Sequence, residues 1–419
     1  MINSSFKWKK IFDEHSIIGK LIHSRLLSIE KDIAEVKNIG RFDSQFCLLS
    51  GNFGIAYFHS FFYKVYASEK SLENTINSVN EGLNAMQSKN TISYSFCEGL
   101  SGVLWALNSF ESDEYIAKNA IDNYLVNICM QGLGDLKSGN YDYLYGGLGP
   151  CLLSLSNPND VTSSFFLADV TKALGNISVK SKKTGLYKWT TYDSVYKSEV
   201  FNLGLSHGIP SIISILSFIY QTGIEKELCL ELLTGSISWL LEQKLPRGSS
   251  SIFPNLVVTE TINYPEPSSR LAWCYGDLGV ARSLWIAGNA TKNELWKKEA
   301  VDIMLHASRR RALKENRVFD ACLCHGSAGI AHIFNRFYQD TEILSFKEAA
   351  EYWYQITLDL ARFEDGIGGY KRFLPKNENE PARWINSASL IDGSAGIGLA
   401  LLAAISDESP KWDRCLLLS

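Results

Sequence analysis

A glycine-led turn followed by an apolar stretch recurs seven times along the chain, and this repeat constrains the fold more than any other sequence feature. Six of the seven turns carry a second glycine three residues after the first, whereas the fourth carries Ser211 at that position. Spacings of 47 to 68 residues between turns are long enough for two helices each, as in helical repeat proteins. The leading glycines are Gly51, Gly99, Gly146, Gly208, Gly276, Gly326 and Gly393.

The segments around each glycine turn show two kinds of helical pattern. Residues 72–86 and 346–360 carry apolar side chains at spacings of three and four, which predicts amphipathic helices with one solvated face. Residues 212–219 and 397–405 are apolar nearly all round, so these helices must be covered on every side. We therefore predict an all-α fold of seven repeats, each an outer amphipathic helix, a glycine turn and an inner apolar helix. Periodicity alone leaves open whether the repeats form an open solenoid or a closed ring.

Three intervals between turns are longer than the helices require and are rich in polar residues, proline and glycine. They cover about residues 157–201, 248–269 and 362–389, and we interpret them as loops or small insertions. If the repeats form one continuous array, the whole chain, residues 1–419, is a single domain.

Composition excludes several classes of function. The net charge of −4 and the isoelectric point near 6.0 give no basic surplus for binding nucleic acid. The first residues lack the apolar core of a signal peptide, and no apolar run reaches the ~18 residues needed to span a bilayer. The chain has nine cysteines, and this odd number indicates reduced thiols and not a disulfide framework. We expect a cytoplasmic protein.

Aligning the repeats on their leading glycines brings metal-binding residue types to shared positions. Cys274 and Cys324 both stand two residues before a leading glycine, and His325 follows the second cysteine. In a ring these positions converge, and two thiolates with one imidazole suit a catalytic zinc that keeps an open position. A lone cysteine is more often a buried apolar residue. We therefore interpret Cys97 as packing and expect Cys322 to point away from the metal.

Four further residues are candidates for the chemistry. His207 directly precedes its leading glycine, and is either a general acid or base or a histidine hydrogen-bonded at a helix start. Tyr275 would face the same rim. Asp142 by itself would be an ordinary turn residue, and Arg270 by default a surface charge.

The HG motif at 207, WCYG at 273–276 and CHG at 324–326, in this order, resemble the lanthionine synthetase C family. The resemblance covers essentially the whole chain. It implies an α/α toroid with one catalytic zinc held by Cys274, Cys324 and His325. By the same resemblance His207 is the acid/base histidine, and the other catalytic residues are Asp142, Arg270 and Tyr275. Two positions depart from the family pattern without touching the chemistry: Leu278, where proline is common, and Ser211.

The activity implied by this resemblance is the addition of a peptide cysteine thiol to dehydroalanine or dehydrobutyrine, which closes a thioether ring. The implied partners are a dehydrated precursor peptide, a lantibiotic dehydratase and an exporter, the last two placing the protein at the membrane periphery. One alternative is addition of glutathione or another small thiol to dehydroamino acids. Another is a non-catalytic peptide-binding scaffold, which would need a fourth zinc ligand such as Cys322 or Cys97.

Overall fold

The computed structural model describes residues 7–36, 45–110, 114–181, 184–259, 268–376 and 380–419. The chain forms two compact units. The first comprises Met1–Asn90, Leu313–Arg414 and Leu418, and the second comprises Thr91–Ala312, Cys415–Leu417 and Ser419.

Helices dominate both units. They are α1 Ile17–Glu35, α2 Asn52–Tyr66, α3 Glu69–Gln87, α4 Leu100–Ser109, α5 Glu114–Lys137, α6 Cys151–Ser156, α7 Val161–Ile177, α8 Ile209–Thr222, α9 Lys226–Leu241, α10 Asp277–Thr291, α11 Glu294–Ala307, α12 Ser327–Thr341, α13 Leu344–Asp359 and α14 Ser394–Ile405. Across the described residues, none of these helices has both the length and the apolar character that a membrane span requires.

Each even-numbered helix is an inner helix, and six of the seven begin at the residue directly after a leading glycine. All twelve residues of α14 are buried, as its uniformly apolar sequence predicts. The outer helix α3 does not bury the apolar face predicted over residues 72–86. It leaves Ile76 and Leu83 exposed and buries only small residues, which are Ser71, Thr75, Ser78 and Gly82.

Inner and outer helices pack in pairs, six of which are hairpins of consecutive helices. In the first unit α2 packs on α3, α12 on α13, and α14 on α1. In the second unit the pairs are α4 with α5, α6 with α7, α8 with α9, and α10 with α11. The repeat unit predicted from the sequence, an outer helix followed by an inner one, is therefore wrong in its grouping. Most of the links from inner to outer helices are very short, and such links force antiparallel packing of the two helices they join.

Backbone hydrogen bonds join equivalent positions of successive glycine turns. In the first unit the amide of Cys324 donates to the carbonyl of Ile391 at 2.9 Å, and the amide of Ile391 donates to the carbonyl of Leu49 at 2.9 Å. The sixth, seventh and first turns therefore lie side by side. In the second unit the amide of Cys97 donates to the carbonyl of Leu144 in the same way, at 2.8 Å.

The second glycine of a turn lets a neighbouring repeat approach closely. A Cβ atom on Gly54 would lie 2.7 Å from Cβ of Leu390, and one on Gly279 would lie 2.7 Å from Cβ of Leu205. Real Cβ atoms do not approach so near, so these positions need glycine. In the fourth repeat Ser211 takes this place, and its hydroxyl donates to the carbonyl of the leading glycine at 2.7 Å.

The three expected insertions contain the strands, which are β1 Val179–Lys180, β2 Tyr187–Lys188, β3 Thr191–Asp193, β4 Ser198–Asn202, β5 Leu256–Val258, β6 Arg372–Leu374 and β7 Arg383–Ile385. Antiparallel pairing joins β1 to β2, β3 to β4, β4 to β5, and β6 to β7. Residues 182–183, 260–267 and 377–379 of these insertions lie outside the described chain.

The first insertion, 157–201, is only partly the loop that its polar composition suggested, because it begins with the outer helix α7. Asp160 caps this helix by accepting a hydrogen bond from the amide of Ser163 at 2.9 Å. The apolar side chains Phe166, Leu167 and Leu174 face the core.

Candidate functional site

In the second unit, a histidine–aspartate pair lies where the third and fourth glycine turns meet. Nδ1 of His207 is 2.7 Å from Oδ2 of Asp142. The other carboxylate oxygen of Asp142 accepts hydrogen bonds from the amides of Leu144 at 2.7 Å and Tyr145 at 2.9 Å. Because the turn fixes one oxygen, the second is held toward the imidazole. Asp142 is thus both a turn residue and the partner of His207.

Asp142 determines the protonation of the imidazole. An ionised carboxylate can only accept, so the hydrogen-bond network assigns the Nδ1 proton to His207 and leaves Nε2 for proton exchange. Burial by itself would lower the pKa of His207. The hydrogen bond and negative charge of Asp142, together with the charge of Cys274, outweigh burial and raise this pKa above its ordinary value.

Two tyrosine rings flank His207. The ring of Tyr145 is nearly parallel to the imidazole, with centroids 6.0 Å apart and planes 5° apart, and the ring of Tyr275 is tilted by 38° at 6.4 Å. All three residues directly precede a leading glycine, in the third, fourth and fifth turns. The repeat alignment placed His207 and Tyr275 on this rim but missed Tyr145, which occupies the same position. The thiol of Cys97 lies 3.6 Å from the hydroxyl oxygen of Tyr145.

The hydroxyl of Tyr275 is positioned by the inserted sheet. Nδ2 of Asn202, the last residue of β4, donates to this hydroxyl oxygen at 3.2 Å, while Oδ1 of Asn202 accepts from the amide of Gly204 at 2.8 Å. Burial raises the pKa of Tyr275 to about 12, so the hydroxyl keeps its proton at neutral pH and remains a donor.

Cys274 is nearly buried, with 7% of its surface exposed. Its carbonyl oxygen accepts hydrogen bonds from the amide of Ser206 at 3.4 Å and from the hydroxyl of the same serine at 3.3 Å. The preceding Trp273 is anchored by its indole N–H, which donates to the carbonyl of Leu416 at 2.8 Å. These bonds fix the backbone that carries the thiol.

The turn after Cys274 requires glycine for a different reason from the other turns. Gly276 has a φ of +92°, a backbone angle that residues with a Cβ atom rarely adopt. A Cβ there would also lie 2.4 Å from the carbonyl oxygen of Arg270. Arg270, a predicted site residue, is half-buried in the irregular segment that leads into this turn.

In the first unit, the sixth glycine turn carries Cys324 and His325, both half-buried. The thiol sulfur of Cys324 and a ring nitrogen of His325 lie within 4.8 Å of each other. The thiol of Cys322 and a carboxylate oxygen of Asp320 also lie within 4.8 Å of a His325 ring nitrogen and of each other.

Cys322 lies beside His325 because the turn is tight, but it groups with Asp320 and not with Cys324, so its orientation away from the metal stays a prediction. The amide of Cys322 donates to Oδ1 of Asp320 at 3.1 Å, and the amide of Gly326 donates to the carbonyl of Cys322 at 3.1 Å. The chain thus curls back and brings Cys322 beside His325. Burial raises the pKa of the Cys322 thiol, which favours its protonated form.

The donor chemistry fits zinc. Thiol sulfur and imidazole nitrogen are the soft and borderline ligands that zinc prefers, and the Cys324–His325 pair supplies one of each. Cys274 offers a further thiol in the second unit.

The comparisons with known proteins point to one family. The sequence model described as lanthionine synthetase C-like protein matches residues 44–417. The nisin biosynthesis protein NisC of Lactococcus lactis subsp. lactis is 22% identical over 293 residues, which cover 65% of this chain and 68% of that protein. The solved structure of nisin cyclase superposes with a TM-score of 0.68 at 18% identity, covering 96% of this chain and 97% of the other. This likeness confirms the predicted fold class, the α/α toroid of helical hairpins.

Proposed function

The chain belongs to the lanthionine synthetase C-like family, and we propose that it is a zinc-dependent peptide cyclase. It adds cysteine thiols of a dehydrated precursor peptide to dehydroalanine or dehydrobutyrine and so forms lanthionine or methyllanthionine rings. The observation that best supports this proposal is the His207–Asp142 pair, in which Nδ1 and Oδ2 lie 2.7 Å apart. The negative charge of Cys274 also raises the pKa of this imidazole.

We assign one zinc ion to Cys274, Cys324 and His325. Three protein ligands leave one position for a substrate thiol. A free cysteine thiol has a pKa of ~8.5 and is mostly protonated at neutral pH, and a bound zinc ion lowers that pKa so that the thiolate is available. Support for the assignment comes from the donor types and from the Cys324–His325 pair within 4.8 Å.

The protein's own residues then manage the charge that develops. Attack of a thiolate at Cβ of the alkene places negative charge on Cα and on the adjacent carbonyl oxygen. His207, oriented by Asp142, protonates Cα from Nε2. The guanidinium of Arg270 and the protonated hydroxyl of Tyr275 stabilise the oxygen.

The substrate also implies partners. The dehydroamino acids must be made before cyclisation, so a dehydratase is the expected partner upstream. Export of the cyclised peptide would bring an exporter into the same complex and place the protein at the membrane periphery.

The test combines metal analysis with cyclisation of a defined peptide. The purified full chain is incubated with a synthetic peptide containing one cysteine and one dehydroalanine, and free thiols are then alkylated and counted by mass spectrometry. Cyclisation removes the alkylatable thiol without changing the peptide's mass. Cys274→Ala should lose zinc and cyclisation together, whereas His207→Ala should keep zinc and lose the reaction. A Cys274→Ala protein with stoichiometric zinc would refute the ligand assignment.

The same assay separates the alternatives. With glutathione present, a small-thiol transferase would produce a peptide heavier by one glutathione. A non-catalytic scaffold requires a fourth zinc ligand, and Cys322, whose thiol lies within 4.8 Å of a His325 ring nitrogen, is the candidate. For such a scaffold, neither product would form and Cys322→Ala would lose the metal.

A further inference from the structure

A polar cavity of about 260 Å³ opens in the first unit among α1, α2 and α3. Its apolar lining comes from Ile33 and Val36 at the end of α1 and from Ile55 of α2. One wall is a stripe of side-chain amides along α3, formed by Asn74, Asn77, Asn80 and Asn84.

Two residues that line this cavity each carry a buried polar atom with no hydrogen-bond partner. The atoms are Nδ1 of His59 and Oδ1 of Asn52, and their residues are 1% and 3% exposed. The nearest carboxylate oxygen to Nδ1 belongs to Glu30, at 3.9 Å, which is too long for a hydrogen bond. That oxygen already accepts from Ser71 and Asn74. Unsatisfied buried groups are costly, so both atoms mark a place for a polar ligand.

The imidazole of His59, which lines this cavity, is neutral at neutral pH. Burial, with a smaller effect of the Lys70 charge, lowers its pKa to about 4. At neutral pH its imidazole therefore offers either a donor or an acceptor at Nδ1, and it brings no charge.

The asparagine stripe matches the dimensions of an extended peptide. From Asn74 to Asn84 the helix rises roughly 15 Å, which is the length of about four or five extended residues. A carboxamide presents one acceptor and two donors, so it can pair with both the N–H and the C=O of a main chain. The apolar lining at Ile33, Val36 and Ile55 could then take every second side chain.

The lining disfavours other ligand classes. Among the described residues that line the cavity, the only formally charged side chain is Glu81, so it provides no cation to bind a phosphate or carboxylate. The only ring among these residues is the buried imidazole of His59, which leaves no aromatic platform for a nucleobase.

We propose that this cavity binds an extended, uncharged segment of a peptide through its main-chain amides. The proposal rests on the proposed cyclase function: the segment belongs to the precursor peptide and lies outside the residues that react. Binding there would hold the substrate while successive rings are closed.

The test measures binding without catalysis. The probe is an acetylated and amidated octapeptide of alternating valine and serine, which contains neither cysteine nor a dehydroamino acid. Binding to the full chain is followed by titration calorimetry and by the ¹⁵N signals of labelled histidine. We expect the His59 signal to shift. Replacing both Asn77 and Asn84 by Ala should weaken binding roughly tenfold, since two hydrogen bonds are lost.

Two controls isolate the proposed contacts. Asn108→Ala removes an exposed asparagine of α4 and should bind the octapeptide like the wild type. The same octapeptide methylated at alternate main-chain nitrogens should fail to bind. Equal binding of the methylated peptide, unchanged binding by the double variant, or no binding of the unmodified peptide at millimolar concentration would each overturn the proposal.

The result is independent of the cyclase assay. Cys324→Ala, which should abolish thioether formation, should still bind the octapeptide. Binding without cyclisation by the wild type would count against the proposed function alone, and cyclisation without binding would count against the cavity alone.

Discussion

Nδ1 of His207 lies 2.7 Å from Oδ2 of Asp142, while the other oxygen of Asp142 is held by two backbone amides. The carboxylate therefore has no rotational freedom to lose when it orients the imidazole. Because the carboxylate is already oriented, it needs to move little when the histidine gains or loses a proton. The Asp142 carboxylate thereby opposes burial, which by itself would lower the pKa of His207, and with the charge of Cys274 it raises that pKa.

Replacing Asp142 by Asn should lower the pKa of His207. The carboxylate now raises that pKa, so the acid form of the imidazole persists to higher pH. Without the negative charge the acid form disappears at lower pH, and the alkaline limb of the pH–rate profile moves in the same direction. We also expect a rate loss of about a hundredfold, as for a mispositioned general acid.

The measurement is the ¹³C-histidine NMR titration of the zinc-loaded protein beside its pH–rate profile. Asp160→Asn is the control, because Asp160 also holds a backbone amide through its carboxylate, in the N-terminal cap of α7. An unchanged titration of His207 in Asp142→Asn would contradict the assigned role.

The ring of Tyr145 should matter more than its hydroxyl. Tyr145→Phe keeps the face that lies 6.0 Å from His207 and loses only the hydroxyl beside Cys97, so it should remain close to wild-type activity. Tyr145→Leu removes the face and should reduce kcat several-fold by loosening the imidazole. Tyr124→Leu, at an exposed tyrosine of α5, is the matched control. Equal activity of the Phe and Leu variants would exclude a role for the ring.

The repeat register explains which parts of the site could be predicted from the sequence. Aligned glycines place His207 and Tyr275 at one rim position, and the motif resemblance supplied Asp142. The same register contains Tyr145, but a tyrosine carries no metal-binding or titrating signal at neutral pH that would single it out. The position of Cys322 depends on how tightly one turn curls, which spacing does not encode.

The parts of the fold that escaped prediction depend on contacts between distant segments. Helix α7 was not predicted because its serines and threonines resemble a loop, although two of them, Ser163 and Thr171, are buried. The cavity beside His59 exists because the end of α1 and the sides of α2 and α3 leave space between them. No local pattern in the sequence records such a gap.

Cys322→Ala should retain zinc. Its thiol lies beside His325, but burial raises the thiol's pKa and favours the protonated form, which is a poor ligand. We expect one zinc per chain in this variant, measured by atomic emission after dialysis, and cyclisation close to wild type. Cys324→Ala, in the same turn, should lose the metal. Loss of zinc from Cys322→Ala would instead favour the closed structural site.

Glycine-to-alanine changes should have opposite effects at two positions. A Cβ on Gly329 would lie 1.9 Å from the carbonyl oxygen of Leu323, so Gly329→Ala should destabilise the protein by about 2 kcal/mol or more. Gly134, in helix α5, has no neighbouring atom within 4 Å, and Gly134→Ala should stabilise by about 0.5–1 kcal/mol. Thermal unfolding followed by circular dichroism measures both. A stable Gly329→Ala protein would show that the turn can relax.

His59 should make the protein lose stability in mild acid. Its pKa is about 4 in the folded protein against an ordinary value of 6.5, so the folded state binds fewer protons than the unfolded state between these pH values. The stabilisation is complete above pH 6.5 and disappears as the pH falls toward 4. It amounts to about 3 kcal/mol.

His59→Gln removes this titration, so its unfolding midpoint should decline less between pH 7 and pH 4 than that of the wild type. His15→Gln is the control, because the side chain of His15 is 84% exposed. The comparison uses the slope with pH, since the substitution itself also changes packing in the core. Parallel declines of wild type and His59→Gln would mean that His59 accepts its proton in the folded state, through the cavity, without loss of structure.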